Sequence, residues 1–348
     1  MVTNQETRET RIDTGDHAAE AHRAARERIN HGATLHLQGD LDGARCAYET
    51  ALQADPGNVT ALNNLGFVLA QQGRLAEAIE HYERAIEQDP SRSMPFANLG
   101  NARAVQGQAQ AAVEALERAV ALDSENLEAW DSLAKLHMAS GRLAEAEAAW
   151  RRALSAAPER SDFLTALGTV VAAQQRTSEA VRILGRAVEL DPQRAAAWAQ
   201  LGAVLLVRRD LGSAREALAR ALSCDPRDQT ARHHLAMVHL ALGDETAARE
   251  ELERVLGDSP DHWQSLLDLG VLELARGRPE LALSRLEAAR RLEPERPRAR
   301  FYCALALEQT GHHEEGAVLL HALTEEGGGT YAERARRHLG RDPRAAVH

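Results

Sequence analysis

The stretch that decides the fold is ALNNLGFVLAQQGRLAEAIEHYERAIEQDP, residues 61–90. Its apolar residues recur at helical spacing, and Gly73 in the QQGR segment separates two such runs. Asn63 and Asn64 stand inside the first run, although asparagine is a poor helix former. Two adjacent amides in a helix are either tolerated on a solvent-exposed surface or face a group that hydrogen-bonds to amides.

A period of 34 residues organises most of the chain. Prolines recur on one grid, and between Pro56 and Pro294 Ser124 stands at the only vacant grid point. We number each repeat from 1 so that this proline is place 32. The prolines are Pro56, Pro90, Pro158, Pro192, Pro226, Pro260 and Pro294. The nine repeats are then residues 25–58, 59–92, 93–126, 127–160, 161–194, 195–228, 229–262, 263–296 and 297–330.

Small residues recur where two helices have to come close. Place 8 is glycine or alanine in every repeat, and place 20 is alanine in every repeat but the last, which has Gly316. Larger residues fill the space around them at place 24: Tyr48, Tyr82, Leu116, Trp150, Leu184, Leu218, Leu252 and Leu286. This alternation of small and large side chains predicts antiparallel helix pairs that pack closely against each other and against the next repeat.

Place 15 lies between the two helices of a repeat. It is glycine in seven of the repeats, and glycine tolerates a positive φ at no steric cost. Repeats five and six carry Gln175 and Arg209 there instead. If the left-handed turn is kept, each costs about 1 kcal/mol. The sequence therefore predicts a local weak point in repeats five and six.

The pattern resembles the tetratricopeptide repeat, a 34-residue helix–turn–helix unit, over residues 25–330. The resemblance implies an all-α fold, a right-handed α-solenoid superhelix of stacked antiparallel helix pairs. It also implies that the first helix of each repeat, helix A, lines a concave groove. Repeat two, residues 59–92, is the cleanest copy of the pattern.

The N-terminal end is expected to differ from the internal repeats. Arg28 and His31 occupy places 4 and 7 of repeat one, where internal repeats carry apolar residues, and a terminal repeat needs a polar outer face. Residues 15–24 are predicted to extend the first helix, and residues 1–14 are predicted to be a disordered tail.

The C-terminal end is expected to carry a capping helix over residues 331–341. Thr330 is predicted to be its N-cap, and Tyr331, Ala335 and Leu339 follow each other at spacing i, i+4, i+8. These three residues form one apolar face that could cover the open end of repeat nine. Residues 342–348 are predicted to be a tail.

Composition excludes several classes of function. The formal net charge of −11 and the absence of a basic stripe argue against nucleic-acid binding. Three distant cysteines form neither a disulfide framework nor a metal knuckle. No apolar segment predicts a signal peptide or a membrane span. We therefore expect a cytoplasmic protein, and the preference for arginine and alanine suggests a bacterial one.

No catalytic constellation stands out, so we expect no enzyme activity and no cofactor. The chain has no phosphate-binding glycine loop, no dinucleotide fingerprint and no nucleophile elbow. His233, His234 and His239 form a histidine-rich segment, but 234 and 239 are five residues apart and leave one helical face. A metal pair would prefer spacing i, i+4, so no metal site is predicted.

Asparagines recur at place 6 of helix A in the first three repeats, at Asn30, Asn64 and Asn98. Because each repeat has the same geometry, the three amides should form a row, which Asn63 and Asn101 at places 5 and 9 widen. Each amide offers both donors and an acceptor, as the backbone of an extended peptide requires. The row is similar to the asparagine ladder of O-linked N-acetylglucosamine transferases. The alternative is that these amides only keep the groove wet.

Groove chemistry is predicted to change further along the chain. Glu128, Asp131 and Asp162 form an acidic patch, and Lys135 and His234 are also candidates to line the groove. In repeats six to eight several inward places are apolar, and these residues either face a ligand or pack against a neighbouring helix. They are Leu206, Val207, Met237, Leu240, Val271 and Leu274.

These features favour a non-catalytic scaffold or assembly adaptor that binds an extended segment of a protein partner in the concave groove. Two alternatives stay open. One is a structural scaffold that self-associates as a homo-oligomer, and the other is a targeting or regulatory subunit of a separate enzyme complex. Place 5 carries no lysine or arginine in any repeat, which excludes the carboxylate clamp of tetratricopeptide co-chaperones for heat-shock proteins.

Overall fold

A computed structural model describes residues 22–326 and 328–340. Over these ranges the chain is all α-helical and contains no β-strand. The helices that belong to the A position of each repeat are α1 (residues 22–37), α3 (Val59–Gln71), α5 (Ser93–Val105), α7 (Leu127–Ala139), α9 (Ser161–Ala173), α11 (Ala195–Val207), α13 (Gln229–Leu242), α15 (Trp263–Ala275) and α17 (Pro297–Gln309). From α3 onward, every A helix begins 34 residues after the one before it.

The second helix of each repeat, helix B, follows after a short turn. These helices are α2 (Leu41–Ala54), α4 (Leu75–Gln88), α6 (Ala109–Leu122), α8 (Leu143–Ala156), α10 (Thr177–Leu190), α12 (Leu211–Cys224), α14 (Glu245–Asp258), α16 (Pro279–Leu292) and α18 (His313–Glu325). A last helix, α19 (Thr330–Leu339), follows the repeats.

The chain divides into two compact units, residues 1–175 and 176–348. Within the first unit, consecutive helices from α2 to α9 pack on one another, and α3 and α5 also contact the next A helix. Within the second unit the same pattern runs from α10 to α19, with additional contacts between α11 and α13, α15 and α17, and α17 and α19. Each unit is therefore a stack of helices in which contacts are made to near neighbours, as in an α-solenoid.

Close approach of helices A and B explains the small residue at place 8. A methyl group placed on Gly66 would lie 2.7 Å from Tyr82, and one on Gly202 would lie 2.5 Å from Cγ of Leu218. The residues opposite these glycines, at place 24, are almost completely buried. Helix A thus meets helix B at a point where one side supplies no side chain and the other supplies a large one.

The turn between the helices keeps its left-handed residue in every repeat. The seven glycines at place 15 have φ between 70° and 90°, and Gln175 and Arg209 adopt φ values of 63° and 64°. They are the positive-φ residues other than glycine among the described residues. The fold therefore imposes the glycine conformation on two side chains that disfavour it. The predicted weakness of repeats five and six, which depends on this strain, stays a prediction.

The described part of the N-terminal end agrees with a polar cap. Arg28 and His31 are exposed on α1, while Ala25 and Ile29 on its other face are buried in the core with Tyr48. Residues 22–24 are helical, as expected for an extension of the first helix. The predicted tail over residues 1–14 and the rest of the extension, residues 15–21, lie outside the described residues.

At the C-terminal end, α19 packs through the apolar face that its sequence predicts. Ala335 is buried, and Tyr331 and Leu339 pack against a cluster that contains Phe301 and Leu320. The prediction that Thr330 is the N-cap was wrong. Gly329 is the N-cap, with φ 110°, and Thr330 is the first residue of the helix. A backbone with this φ favours glycine, so the chain turns one residue earlier than the threonine signal indicates. The predicted tail over residues 342–348 lies outside the described part of the chain.

Replacing Gly202 by valine should destabilise the protein by about 2–3 kcal/mol, because the new side chain would collide with Leu218 in a packed interface. Alanine is accommodated at the same place in Ala236, so the larger residue gives the sharper test. Gly185 is the matched control, since it lies within α10 and a methyl group there would have no neighbour within 4 Å. Urea unfolding followed by circular dichroism measures both variants, and equal stability of the two would contradict the packing argument.

Arg209→Gly should stabilise the protein by about 1 kcal/mol, because glycine relieves the strain of a positive φ. Arg208→Gly is the control. Arg208 is the C-cap of α11 and has φ −72°, so glycine there should destabilise by about 0.5–1 kcal/mol. The midpoints of urea unfolding show whether each variant is more or less stable than the wild type. Amide exchange of the α11–α12 turn should slow only in Arg209→Gly. A loss of stability in both variants would show that the turn is not strained.

Candidate functional site

Three of the five predicted amides form one hydrogen-bonded cluster in the first unit. Asn98 Nδ2 donates to Asn63 Oδ1 at 2.9 Å, and Asn63 Nδ2 donates to Asn64 Oδ1 at 3.3 Å. Asn64 also bonds the phenol of Tyr48, whose pKa is raised by burial. We call Asn63, Asn64 and Asn98 the amide cluster. Its members are linked to one another, and the sequence predicted a row of Asn30, Asn64 and Asn98 that Asn63 and Asn101 widen.

The other two predicted amides lie outside this cluster. Asn30 and Asn101 are exposed, and among the described residues neither side chain joins the bonds that link the cluster. The cluster itself is half-buried. Sequence spacing at place 6 therefore located two of the three clustered residues, and the third, Asn63, comes from place 5.

The amide cluster borders a cavity of about 220 Å³ between α3 and α5. Val59, Thr60, Asn63, Asn64, Arg92, Met94 and Pro95 line it. Met94 is 52% exposed, and Arg92 is also exposed. An amide has two N–H donors and an acceptor oxygen, so Asn98 and Asn64 each keep bonding capacity beyond the internal links. The cavity thus offers polar groups beside an accessible apolar side chain.

The predicted acidic patch is internally neutralised. Asp131 accepts a bond from Trp150 Nε1 at 2.9 Å and pairs with Lys135 Nζ at 2.6 Å. Asp162 pairs with Arg160 at 2.6 Å, and this guanidinium holds the pKa of Asp162 below its ordinary value. Glu128 is exposed. Because two of the three carboxylates already have cationic partners, the patch offers little unpaired negative charge to a ligand.

The apolar places of repeats six to eight divide between the two alternatives. Val207 is 72% exposed, whereas Leu274 is buried. Leu206 is half-buried, and Met237, Leu240 and Val271 pack against core clusters of the second unit. Most of these residues therefore serve packing, and the exposed part of the surface is smaller than their sequence pattern suggests.

A larger cavity, of about 370 Å³, lies within the second unit. We call it the repeat-eight cavity because most of its lining comes from repeat eight and the start of repeat nine: His233, Met237, Trp263, Gln264, Leu267, Asp268, Arg296, Pro297, Arg298 and Tyr331. Its walls combine five apolar or aromatic residues with five polar or charged ones. Cavities of this kind and size are typical of ligand sites.

A buried carboxylate organises the polar side of the repeat-eight cavity. Asp268 is 4% exposed, and its two oxygens bond His233 Nε2 at 2.9 Å and Arg298 Nη2 at 2.6 Å. The ring of His233 also lies 5.4 Å from that of His262. Burial, followed by the charge of His233, lowers the pKa of His262. Asp268 is thus fully paired, and its role is to hold two cationic or polar side chains in place.

The sequence carries a signal for this arrangement, although none of the predictions above includes it. His233 stands at place 5 of repeat seven and Asp268 at place 6 of repeat eight. Asn63 and Asn98 hold the same two places in repeats two and three, and each pair is 35 residues apart. A search for polar pairs at this separation would have identified both contacts.

His234, the remaining predicted groove residue, is half-buried on α13. Burial lowers its pKa, and the nearby His233 lowers it further. The centroid of its ring lies 6.1 Å from that of His233, but His234 does not line the repeat-eight cavity. The described residues contain no group of His, Cys, Asp and Glu side chains arranged to hold a metal ion, and no helix among them is long and apolar enough to cross a membrane.

Comparison with known proteins identifies the family. Residues 3–229, well over half of the chain, match the model of the cilia and flagella-associated protein 70 C-terminal domain. Residues 205–269 and 267–327 match two tetratricopeptide-repeat models. The chain belongs to this family of tetratricopeptide-repeat domains. The words "cilia and flagella" refer to the protein after which this family is named, not to this chain.

Two solved structures with TM-scores above 0.5 show the same fold. A tetratricopeptide-repeat protein from Parabacteroides merdae is 19% identical, with a TM-score of 0.59, over 72% of this chain and 98% of its own. A chain of the APC/C hetero-tetramer Cut9-Hcn1 is 16% identical, with a TM-score of 0.59, over 77% of this chain and 52% of its own. YrrB, described as a TPR protein with an unusual peptide-binding site, is 26% identical over 54% of this chain and 97% of its own, with a TM-score of 0.46. No curated protein matches the sequence.

As a tetratricopeptide-repeat protein, the chain has a fold that generally serves as a non-catalytic scaffold for protein–protein interaction. In the repeat frame both cavities lie between the A helices of adjacent repeats. The amide cluster belongs to repeats two and three, and the repeat-eight cavity belongs mainly to repeats eight and nine. The two cavities therefore belong to different repeats and to different units of the chain.

We expect stability to fall as the pH drops from about 7.5 to about 5.5, because His234 has a lowered pKa in the folded state. The unfolded chain then binds a proton that the folded protein does not, so the stability present at neutral pH is lost on acidification. The variant His234→Gln should show a weaker dependence of stability on pH. The variant His313→Gln, at an exposed position, is the control. Urea unfolding at each pH measures the difference between the variants. An unchanged pH dependence in His234→Gln would contradict the assignment.

Proposed function

We propose that this protein is a non-catalytic scaffold that binds an extended segment of a protein partner through the amide cluster of repeats two and three. The observation that carries the proposal is the chain of hydrogen bonds from Asn98 through Asn63 to Asn64, beside a cavity of about 220 Å³. These bonds fix the orientation of the amides before a ligand arrives. Pre-ordered groups lose less side-chain entropy on binding.

The remaining donors and acceptors of the cluster suit a peptide backbone. A peptide in extended conformation presents N–H and C=O groups at regular intervals, and an amide side chain can bond both. Recognition of this kind depends weakly on the side chains of the partner. Exposed Met94 beside the cluster would add an adaptable apolar contact.

The nearby ion pairs indicate that the partner needs no strong positive charge. Since Asp131 and Asp162 are bound to Lys135 and Arg160, a strongly basic partner gains little from this surface. We therefore propose that binding at the amide cluster depends on backbone hydrogen bonds more than on charge. A bacterial source, a cytoplasmic location and the absence of enzyme activity stay predictions from the sequence.

The experiment selects binders from a random peptide library on the full-length protein and measures their affinity by fluorescence anisotropy. Asn64→Ala combined with Asn98→Ala should weaken binding at least about tenfold, because two or more hydrogen bonds are lost. Asn101→Ala is the matched control, since this exposed amide lies outside the cluster. Circular dichroism and thermal unfolding check that each variant is folded.

Backbone recognition has its own signature. N-methylation of alternate backbone nitrogens in a selected peptide should abolish binding, whereas exchange of its side chains should have a smaller effect. Equal loss in the cluster variant and in Asn101→Ala would overturn the proposal. Static light scattering over a range of concentrations tests the alternative, in which the protein self-associates and peptide binding is insensitive to the cluster.

A further inference from the structure

The two cavities occupy the same place in the repeat frame but differ in chemistry. Places 1, 2, 5 and 6 of one repeat and place 34 at its end line both of them. In repeat two these places include the two amides Asn63 and Asn64, and in repeat eight they include Trp263, Leu267 and Asp268. The same position in the fold therefore carries amides in one repeat and an aromatic wall with a buried carboxylate in the other.

Two arginines stand at the repeat-eight cavity. Arg296 lies over the ring of Trp263, with its Cζ 5.0 Å from the ring centroid, and only its Nε bonds Glu293, at 3.3 Å. Arg298 uses one Nη to bond Asp268, lies 6.0 Å from the ring of Tyr302 and is 42% exposed. A guanidinium has five N–H donors, so both arginines keep donors for another anionic group.

Arg296 occupies place 34, the N-cap position of α17, and makes no side-chain capping bond there. At the same place Asn126 and Asp228 cap their A helices. Arg92, Arg160 and Arg194 also hold this place without a capping bond, so what distinguishes Arg296 is its position over Trp263 at the cavity. The N-terminal ends of α15, α17 and α19 also meet at the cavity through Trp263, Pro297 and Tyr331, and the partial positive charge of helix N-termini favours an anion.

The buried carboxylate of Asp268 offsets the charge of Arg298, so an anion here would be held mainly by Arg296 and by the N–H donors that Arg298 keeps. Glu293 is the other acid bonded to this arginine pair, and it bonds only Arg296 Nε. The apolar part of the cavity, formed by Trp263, Met237 and Tyr331, offers aromatic faces and a polarisable thioether. The cavity thus joins an aromatic pocket to a rim of two arginines, each paired with one carboxylate, that keep N–H donors for a further acceptor.

We propose that the repeat-eight cavity is a second binding site, which takes an aromatic side chain of a peptide partner whose neighbouring residue is acidic. The aromatic ring enters between Trp263 and Tyr331, and the carboxylate binds Arg296 and Arg298. This goes beyond the amide cluster, because it selects side chains and uses none of the asparagines. It rests on the proposed function only in taking a protein segment as partner.

The test uses the full-length protein labelled with 5-fluorotryptophan and fluorine NMR. Trp263→Phe assigns the Trp263 signal among the four tryptophans. The probe is the blocked peptide Gly-Ser-Phe-Asp-Asp-Ser-Gly, compared with versions in which serine replaces phenylalanine or asparagine replaces both aspartates. We expect the first peptide to shift the Trp263 signal saturably and to leave those of Trp130, Trp150 and Trp198 unmoved. Each altered peptide should bind about tenfold more weakly or not at all.

Arg296→Gln should weaken the probe about tenfold, since a charged hydrogen bond at the rim is lost. Arg92→Gln is the matched control, because Arg92 holds the same place 34 at the amide-lined cavity. Arg298→Gln should weaken binding as well, and circular dichroism checks its fold because Asp268 loses a partner. The inference is overturned by no saturable shift of Trp263, by equal affinity for the asparagine peptide, or by equal loss in Arg92→Gln.

The same titration separates this inference from the proposed function. The variant with both Asn64→Ala and Asn98→Ala should bind the probe with unchanged affinity. Failure of the amide-cluster test with normal binding of the probe would remove only the proposed backbone site. Failure of the probe with normal backbone binding would remove only the repeat-eight site.

Discussion

The close approach of helices A and B at places 8 and 24 is the contact on which the structure depends. Gly66 against Tyr82 and Gly202 against Leu218 leave no room for a larger side chain at the glycine. Because this contact recurs every 34 residues, it fixes the pairing of each helix with its neighbour. The left-handed turn at place 15 follows from it, since the chain must reverse within a few residues. Gln175 and Arg209 adopt that conformation despite its cost, which shows that packing outweighs local preference.

Regular stacking also determines which side chains meet across repeats. The residue at place 5 of one A helix meets the residue at place 6 of the next, 35 positions later. Asn63 and Asn98 make this contact in the first unit, and His233 and Asp268 make it in the second. One backbone geometry therefore supports an amide cluster in one place and an ionic network in another. Groove chemistry can change from repeat to repeat without any change in the fold.

Pairing of charges decides what the groove can offer a ligand. Asp131, which the sequence assigns to an acidic patch, is bound to Lys135 one helical turn later and to Trp150 on α8. The first of these partners follows from the i, i+4 spacing of a helix. The second joins two helices and is visible only in the folded protein. A count of acidic residues consequently overestimates the negative charge of this surface.

The amino-acid pattern alone predicts the all-α fold, the 34-residue period, the places of close helix contact and the glycine turns. These properties are periodic and local, because helix spacing, small residues and positive φ leave a signature within one repeat. It also pointed to the asparagines of repeats two and three. Helix packing produces three further arrangements: Asn63 links Asn64 to Asn98, Gly329 rather than Thr330 is the N-cap of α19, and Arg296, Arg298 and Tyr331 share a cavity with Asp268. These arrangements join side chains from different helices, and their distances depend on how the helices pack rather than on any pattern within one of them.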